Sequence, residues 1–195
     1  MARCTYSGQD LLPSCGDYQL FFRHDIHATM PAVYCYARAV VNRIAAEEHR
    51  AAPWQEPPRF HPVTISDGGL SDYLSSLKPL TESINFADVI YDLAHPPGGG
   101  TITDDPAKTY AWIYRAPADG KERLPPVVLF GNSFSDHFIS SGMPQYFSEV
   151  YRGFGTGMEM NAALRHLPPE ARYFIFQFWD PTTFDLRDVR IPAGR

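Results

Sequence analysis

The sequence predicts a three-layer α/β domain with a mostly parallel sheet, and three stretches carry that prediction. "VVLF" (127–130) is an unbroken apolar run, which suits a strand covered on both faces. "ARYFIFQFW" (171–179) reads as a second buried strand. Helical segments lie between them, and strand–helix–strand order implies parallel strands with helices against the sheet.

The elements follow in order. "YQLFF" (18–22) reads as a short strand or a loop packed on the core. Val33, Ala37, Val40, Val41 and Ile44 recur at helical spacing and predict a helix from Met30 to Glu48. Thr29 suits its N-cap, and Pro31 is tolerated in a first turn. Prolines in "AAPWQEPPRF" (51–60) end it. "HPVTI" (61–65) reads as a short strand. "SDGGLSDYLSSLKPL" (66–80) reads as a glycine turn and a short helix presenting Leu70, Tyr73, Leu74 and Leu77. "FADVIYDL" (86–93) reads as an edge strand and "AHPPGGGTITDDP" (94–106) as a flexible turn. Its three glycines lack the Gly-Lys-Ser/Thr that a phosphate loop needs. "KTYAWIYRA" (108–116) alternates like a half-buried strand. "DHFISSGMPQYFSEV" (136–150) reads as a helix interrupted at Gly142–Pro144, "YRGFGTG" (151–157) as a turn, and "MEMNAALRHL" (158–167) as a helix.

Bulk properties narrow the function classes. The chain has 195 residues, 44% hydrophobic and 14% aromatic, enough for one domain with a real core. A formal net charge of −5 and no basic run argue against nonspecific nucleic-acid binding. Three cysteines, Cys4, Cys15 and Cys35, leave room for one disulfide but not for a dense framework or a four-cysteine zinc site. Cys35 is expected as a small buried hydrophobe within the helix. No signal-peptide pattern opens the chain, and no apolar run reaches the roughly 20 residues that span a bilayer.

Ser133 stands just past the carboxyl end of the predicted strand 127–130, the edge where open α/β sheets bind ligands. Gly131 lets the chain turn tightly there. Amides near Ser133 at the start of a following helix would suit an oxyanion. A serine hydroxyl needs a base, and the base needs an orienting group. "HDIHAT" supplies both: His27 to take the serine proton and Asp25 to fix its tautomer. Two residues apart, they can project to one side of an extended segment.

"GNSF" (131–134) resembles the first block of the SGNH (GDSL-like) hydrolases. "DIHATMPAVYCYARAVVNRI" (25–44) resembles the Asp-x-His-Trp block and following helix of the AlgX/AlgJ-like proteins. Those are SGNH-like polysaccharide O-acetyltransferases of bacterial exopolysaccharide systems, in which the Asp-x-His block precedes the serine. The resemblance implies a flavodoxin-like, SGNH-hydrolase-like fold over a single catalytic domain 1–195, minimal or shortened at its N-terminal side. It implies Ser133 as nucleophile, His27 as base and Asp25 as orienting acid. It also implies a polysaccharide or small acyl-ester substrate, partners in an exopolysaccharide modification system, and a periplasmic or other extracytoplasmic location. The family tryptophan after the histidine is Ala28 here, which opens one wall of the site.

Gly131 and Asn132 are candidates for the oxyanion region, and Arg152, Asn161 and Arg165 for a polar side of the pocket. Gln177, Trp179 and Asp180 end the last strand and fall at the same sheet edge. Competing readings remain open. Ser133 also suits an ordinary turn, while Ser135 reads as a cap for the following helix with Asp136 in its first turn. His24, Asp25 and His27 would need a further ligand such as Asp136 or His137 to hold a metal. The preferred reading calls for no metal and no cofactor. His61, His95 and His166 read as surface residues, and the aromatics of "YFIFQFW" as sheet core. The function is then O-acetyl transfer first, ester hydrolysis second, and noncatalytic glycan binding or assembly as the reading from a different class.

Overall fold

Helix α1 (Met30–Glu47) opens the regular structure of the computed structural model, which describes residues 15–22, 28–56, 58–66, 81–155 and 157–177. Backbone contacts divide the chain into two units, with the boundary between Ile90 and Tyr91.

In the first unit α1 spans the predicted stretch almost to the residue. Its buried stripe includes Val33, Ala37, Val41 and Ile44, as the spacing requires. Thr29 is the N-cap residue, but its hydroxyl does not cap. It donates instead to the Gln19 carbonyl at 2.5 Å, while the Thr29 N–H donates to the Leu20 carbonyl at 3.0 Å. The segment ahead of the helix is thereby tied to residues 19–20. At the other end His49 takes a left-handed conformation (φ 56°). The His49 and Arg50 amides then donate to the Ala46 and Ala45 carbonyls, a Schellman closure in which His49 holds the position glycine usually takes. The proline-rich stretch beyond is pinned through buried Trp54, whose N–H and C=O both bond the Asn42 side chain (3.2 and 2.8 Å).

Cys35 is not a lone buried thiol. It is bonded to Cys15, closing a loop of sequence separation 20. Strands β1 (Phe60–Ser66) and β2 (Thr81–Ala87) pair antiparallel, from Phe60 opposite Ala87 to Ser66 opposite Thr81. The expected strand 86–93 is therefore displaced: regular pairing ends at Ala87, and Val89, Ile90 and Leu93 lie exposed outside it. The expected short helix at Leu70–Leu77 lies outside the described residues.

The second unit is built on a five-stranded sheet. Its strands are β3 (Thr101–Thr103), β4 (Trp112–Arg115), β5 (Val127–Gly131), β6 (Glu149–Phe154) and β7 (Tyr173–Gln177), in the order β3-β4-β6-β5-β7. Strand β5 pairs parallel with β6 on one side and β7 on the other. The β3–β4 and β4–β6 pairs are antiparallel. The sheet is mixed, not mostly parallel as expected. The strand–helix–strand logic holds for its three parallel strands, but β4 joins β6 in the opposite direction and β3, antiparallel to β4, lies beyond it at the far edge.

Two further corrections come from this sheet. Residues 149–154, read as the end of a helix and a turn, form the central strand β6. The "flexible" 94–106 contains a 3-10 turn at Pro97–Gly99 and the edge strand β3. Gly100 is confined there, because a Cβ would overlap the Tyr114 ring, whose hydroxyl donates to the Pro97 carbonyl at 3.0 Å. Strand β4 is also more deeply buried than half, with Trp112, Ile113 and Tyr114 all inside.

All five residues of β5 are buried. After β5 the chain makes a 3-10 turn, Ser133–Asp136, and a single-turn helix α2 (His137–Ser140). It breaks at Gly142 (φ 81°), within the predicted interruption, and a second 3-10 turn, Met143–Tyr146, leads toward β6. Helix α3 (Gly157–Arg165) then connects β6 to β7. Val128 and Phe130 of β5 pack with Met160, Ala163 and Leu164 of α3, while Phe174 and Phe176 of β7 join at the margin. Alternate residues Val127 and Leu129 point to the other face and are equally buried. Each such side chain contributes about 1.5–3 kcal/mol of burial free energy, which makes this sheet centre a rigid platform for the turn that follows β5.

Candidate functional site

The three parallel strands end together. Gly131, the last residue of β5, is in register with Phe154 of β6 and Gln177 of β7. The chain leaves this edge through Asn132 and enters the 3-10 turn at Ser133. Ser133 is exposed, Asn132 half-buried and Gly131 buried. Ser133 thus stands exposed just past the carboxyl end of β5.

Gly131 is required by crowding. A Cβ at this position would overlap the Ser135 hydroxyl and the Gln177 carbonyl oxygen. Ser135, two residues beyond Ser133, has no exposed surface. Its hydroxyl donates to the Gln177 side-chain oxygen at 2.6 Å, so it ties β7 to the turn and does not cap α2. Gln177, expected at the sheet edge, is there as a support. Trp179 and Asp180 lie outside the described residues.

Beneath the turn sits Arg152 of β6, expected to line a pocket but wholly buried. Its Nη1 donates to the Gly131 carbonyl at 3.2 Å and also to the Gly153 carbonyl; its Nη2 donates to the Asn132 carbonyl at 2.7 Å. Its Nε donates to Asp136 Oδ1 at 2.8 Å. Burial pulls the guanidinium down from its usual pKa, and the Asp136 carboxylate opposes that fall. The Asn132 carbonyl also accepts the Ser135 N–H at 3.0 Å, which closes the turn. Asp136, expected in the first turn of a helix, stands at the N-cap of α2 without a capping bond and is partner to Arg152.

Exposed Phe154 lies at the same edge, 5.3 Å from the Arg152 guanidinium carbon to its ring centre. Nothing local in "YRGFGTG" (151–157), which reads as a turn, marks it; its register opposite Gly131 brings it to this edge. Asn161 is half-buried on α3 and Arg165 exposed at that helix's end. His24, Asp25 and His27 lie outside the described residues, while Ala28, which follows His27, is buried and bridges to Phe21. Two histidine–carboxylate pairs, His61–Asp88 (2.8 Å) and His95–Asp92 (3.1 Å), are exposed surface pairs. Among the described residues no group of three His, Cys, Asp or Glu side chains is arranged to hold a metal ion. Likewise among them, no helix is long and apolar enough to cross a membrane.

No family model and no curated protein matches the sequence. Among solved structures the chain is similar to the O-acetyltransferase domain of Pseudomonas putida AlgJ, at 15% identity and a TM-score of 0.46, covering 93% of this chain and 63% of that one. It is similar to a DHHW family protein from Eubacterium siraeum at 14% identity and a TM-score of 0.48, covering 87% and 62%. For Bacillus cereus PatB1 the values are 10% and 0.39, covering 80% and 61%. The chain spans about three-fifths of the length of each of these proteins.

Proposed function

We propose that the chain is a serine-dependent O-acyltransferase of the SGNH type, moving an acetyl group to or from a polysaccharide hydroxyl through an acyl-enzyme. The observation that carries this reading is the contrast between two serines in one turn: Ser133 is exposed at the carboxyl edge of β5, while Ser135 is buried and bonded. A hydroxyl held on a tight turn, with Gly131 and a buried cation behind it, is suited to attack. The base and orienting acid are His27 and Asp25, and their roles rest on the Asp-x-His block of the sequence.

In the proposed reaction the Ser133 Oγ attacks the acetyl carbonyl carbon as His27 takes its proton. Asp25 holds the imidazole in the tautomer that can accept it. The tetrahedral oxyanion is held by backbone N–H groups of the turn. Collapse breaks the bond to the donor alcohol, which leaves with the proton from His27. A sugar hydroxyl then attacks the acetyl-serine and gives its proton to His27; the bond to Ser133 Oγ breaks, His27 returns the proton to Oγ, and the acetylated sugar departs. Water in place of the sugar gives hydrolysis. The Cys15–Cys35 disulfide supports an oxidising, extracytoplasmic setting.

The test is intact-protein mass after brief incubation with p-nitrophenyl acetate, beside S133A and H27A. The expected result is a gain of one acetyl group in wild type, or nitrophenol turnover where deacylation is fast, and neither in S133A. Product that persists in S133A, or no adduct and no turnover in wild type, overturns the reading. Adding candidate glycans then separates transfer from hydrolysis.

A further inference from the structure

We infer that Arg152 is a positioning residue for the reaction: its guanidinium fixes the peptide planes on either side of Asn132 so that the Ser133 N–H faces the oxyanion. This rests on the reading of Ser133 as the nucleophile.

Position 152 lies mid-strand in β6, opposite Trp112 of β4 and Leu129 of β5. Both neighbours are buried and apolar, and an aliphatic side chain would meet the demands of packing. A guanidinium here is costly to desolvate, and it is held only because its donors are satisfied. Three of its acceptors are main-chain carbonyls at the ends of β5 and β6, those of Gly131, Asn132 and Gly153. The fourth is Asp136, at the far end of the turn.

The consequence follows from peptide geometry. A trans peptide holds its C=O and the next N–H antiparallel, and no cis bond occurs among the described residues. With the Gly131 carbonyl drawn toward Arg152, the Asn132 N–H points away from it. With the Asn132 carbonyl drawn the same way, the Ser133 N–H points away as well. The Gly131 carbonyl also accepts the Gly155 N–H at 3.4 Å and the Asn132 carbonyl the Ser135 N–H at 3.0 Å, so both planes are held from more than one side, and the Ser133 N–H is turned away from the buried side where Arg152 lies. Planar guanidinium geometry matters, because one group must reach both carbonyls and the carboxylate in fixed directions; a lysine ammonium supplies charge without that fork. Arg152 has no exposed surface, so it touches no substrate and acts only through the turn.

The experiment compares wild type with R152K and R152M. It measures thermal melts, amide hydrogen exchange across residues 131–136, and kcat and KM with p-nitrophenyl acetate. For folded R152K, turn amides are expected to exchange at least about tenfold faster while those of 127–130 are unchanged. Its kcat is expected to fall about 10- to 100-fold with KM within about twofold, the signature of a lost transition-state contact. R152M leaves Asp136 and three main-chain carbonyls without their donor, so it is expected to melt below wild type and to lose kcat at least as severely. A purely structural arginine would move the melt and spare the kcat-to-KM split. If neither variant folds, D136N frees the same guanidinium from its anchor and is expected to shift exchange and kcat in the same direction. Turn amides that exchange at wild-type rates overturn the inference, as does faster exchange with unchanged kcat. Failure of wild type to react at Ser133 is a separate result: it removes the nucleophile reading and the catalytic role of Arg152 with it.

Discussion

The Ser135 hydroxyl meets the Gln177 side-chain oxygen at 2.6 Å, joining the turn after β5 to the last residue of β7. That bond assigns different work to two serines separated by one residue. Ser135 is consumed by structure, and Ser133 is left facing solvent. Replacing Ser135 by alanine strands a Gln177 acceptor and is expected to cost about 1–2 kcal/mol, read as a shift in the urea midpoint at constant slope. The S135A protein should still acquire an acetyl adduct. Loss of the adduct in S135A with its retention in S133A would reverse the assignment.

Gly131 is held between the same two partners. A methyl group there would press on the Ser135 hydroxyl and on the Gln177 carbonyl, and the carbonyl is strand backbone that cannot swing aside. G131A is expected to lose about 3 kcal/mol and to abolish acetylation, because relief of the overlap must move the turn. A thermal melt and the mass assay on one preparation check both effects. A G131A protein of wild-type stability would show that β5 and β7 part more easily than their paired register suggests.

The Cys15–Cys35 bond closes a loop across the start of α1. For a loop of that size the chain-entropy account gives about 3 kcal/mol of stabilisation. Reduction, or C35S, should lower the denaturant midpoint of the first unit accordingly. A melt insensitive to reductant would contradict it.

Tyr110 sets an alkaline limit. Burial, then the nearby Asp105 carboxylate, push its phenol up to about 12 from the ordinary value near 10. A folded pKa above the unfolded one means that the unfolded chain releases its proton first. The stabilising contribution is therefore complete below pH 10 and is lost as pH rises toward 12. Y110F should flatten the fall of stability between those values. It should also lower stability at neutral pH slightly, through loss of the hydroxyl bonds to the Ala163 and His166 carbonyls (3.5 and 3.3 Å). Tyr146, also pushed up to about 12 by burial, leaves a residual slope in the variant. Equal slopes in the two proteins would remove Tyr110 as the cause.

What the sequence determined by itself was the set of local patterns. The spacing of Val33, Ala37, Val41 and Ile44 located α1, since a helix buries one stripe whatever its neighbours are. The apolar run at 127–130 located β5, since a strand covered on both faces needs no polar positions; the run at 173–176 located β7, whose residues are half-buried and not fully buried as expected. Ser133 at the end of such a run was legible for the same reason. Only tertiary structure decided the rest. Strand β6 was hidden because its buried position 152 is an arginine, which reads as solvated until Gly131, Asn132, Gly153 and Asp136 gather around it. The antiparallel pairings of β4 with β3 and β6 were hidden because side-chain alternation reports which face is buried, not which way a neighbouring strand runs. The disulfide and the Ser135–Gln177 bond each join residues from different elements. Local periodicity records how much of a segment must leave water, whereas a partner is chosen by distance and direction, and those exist only once the chain has folded.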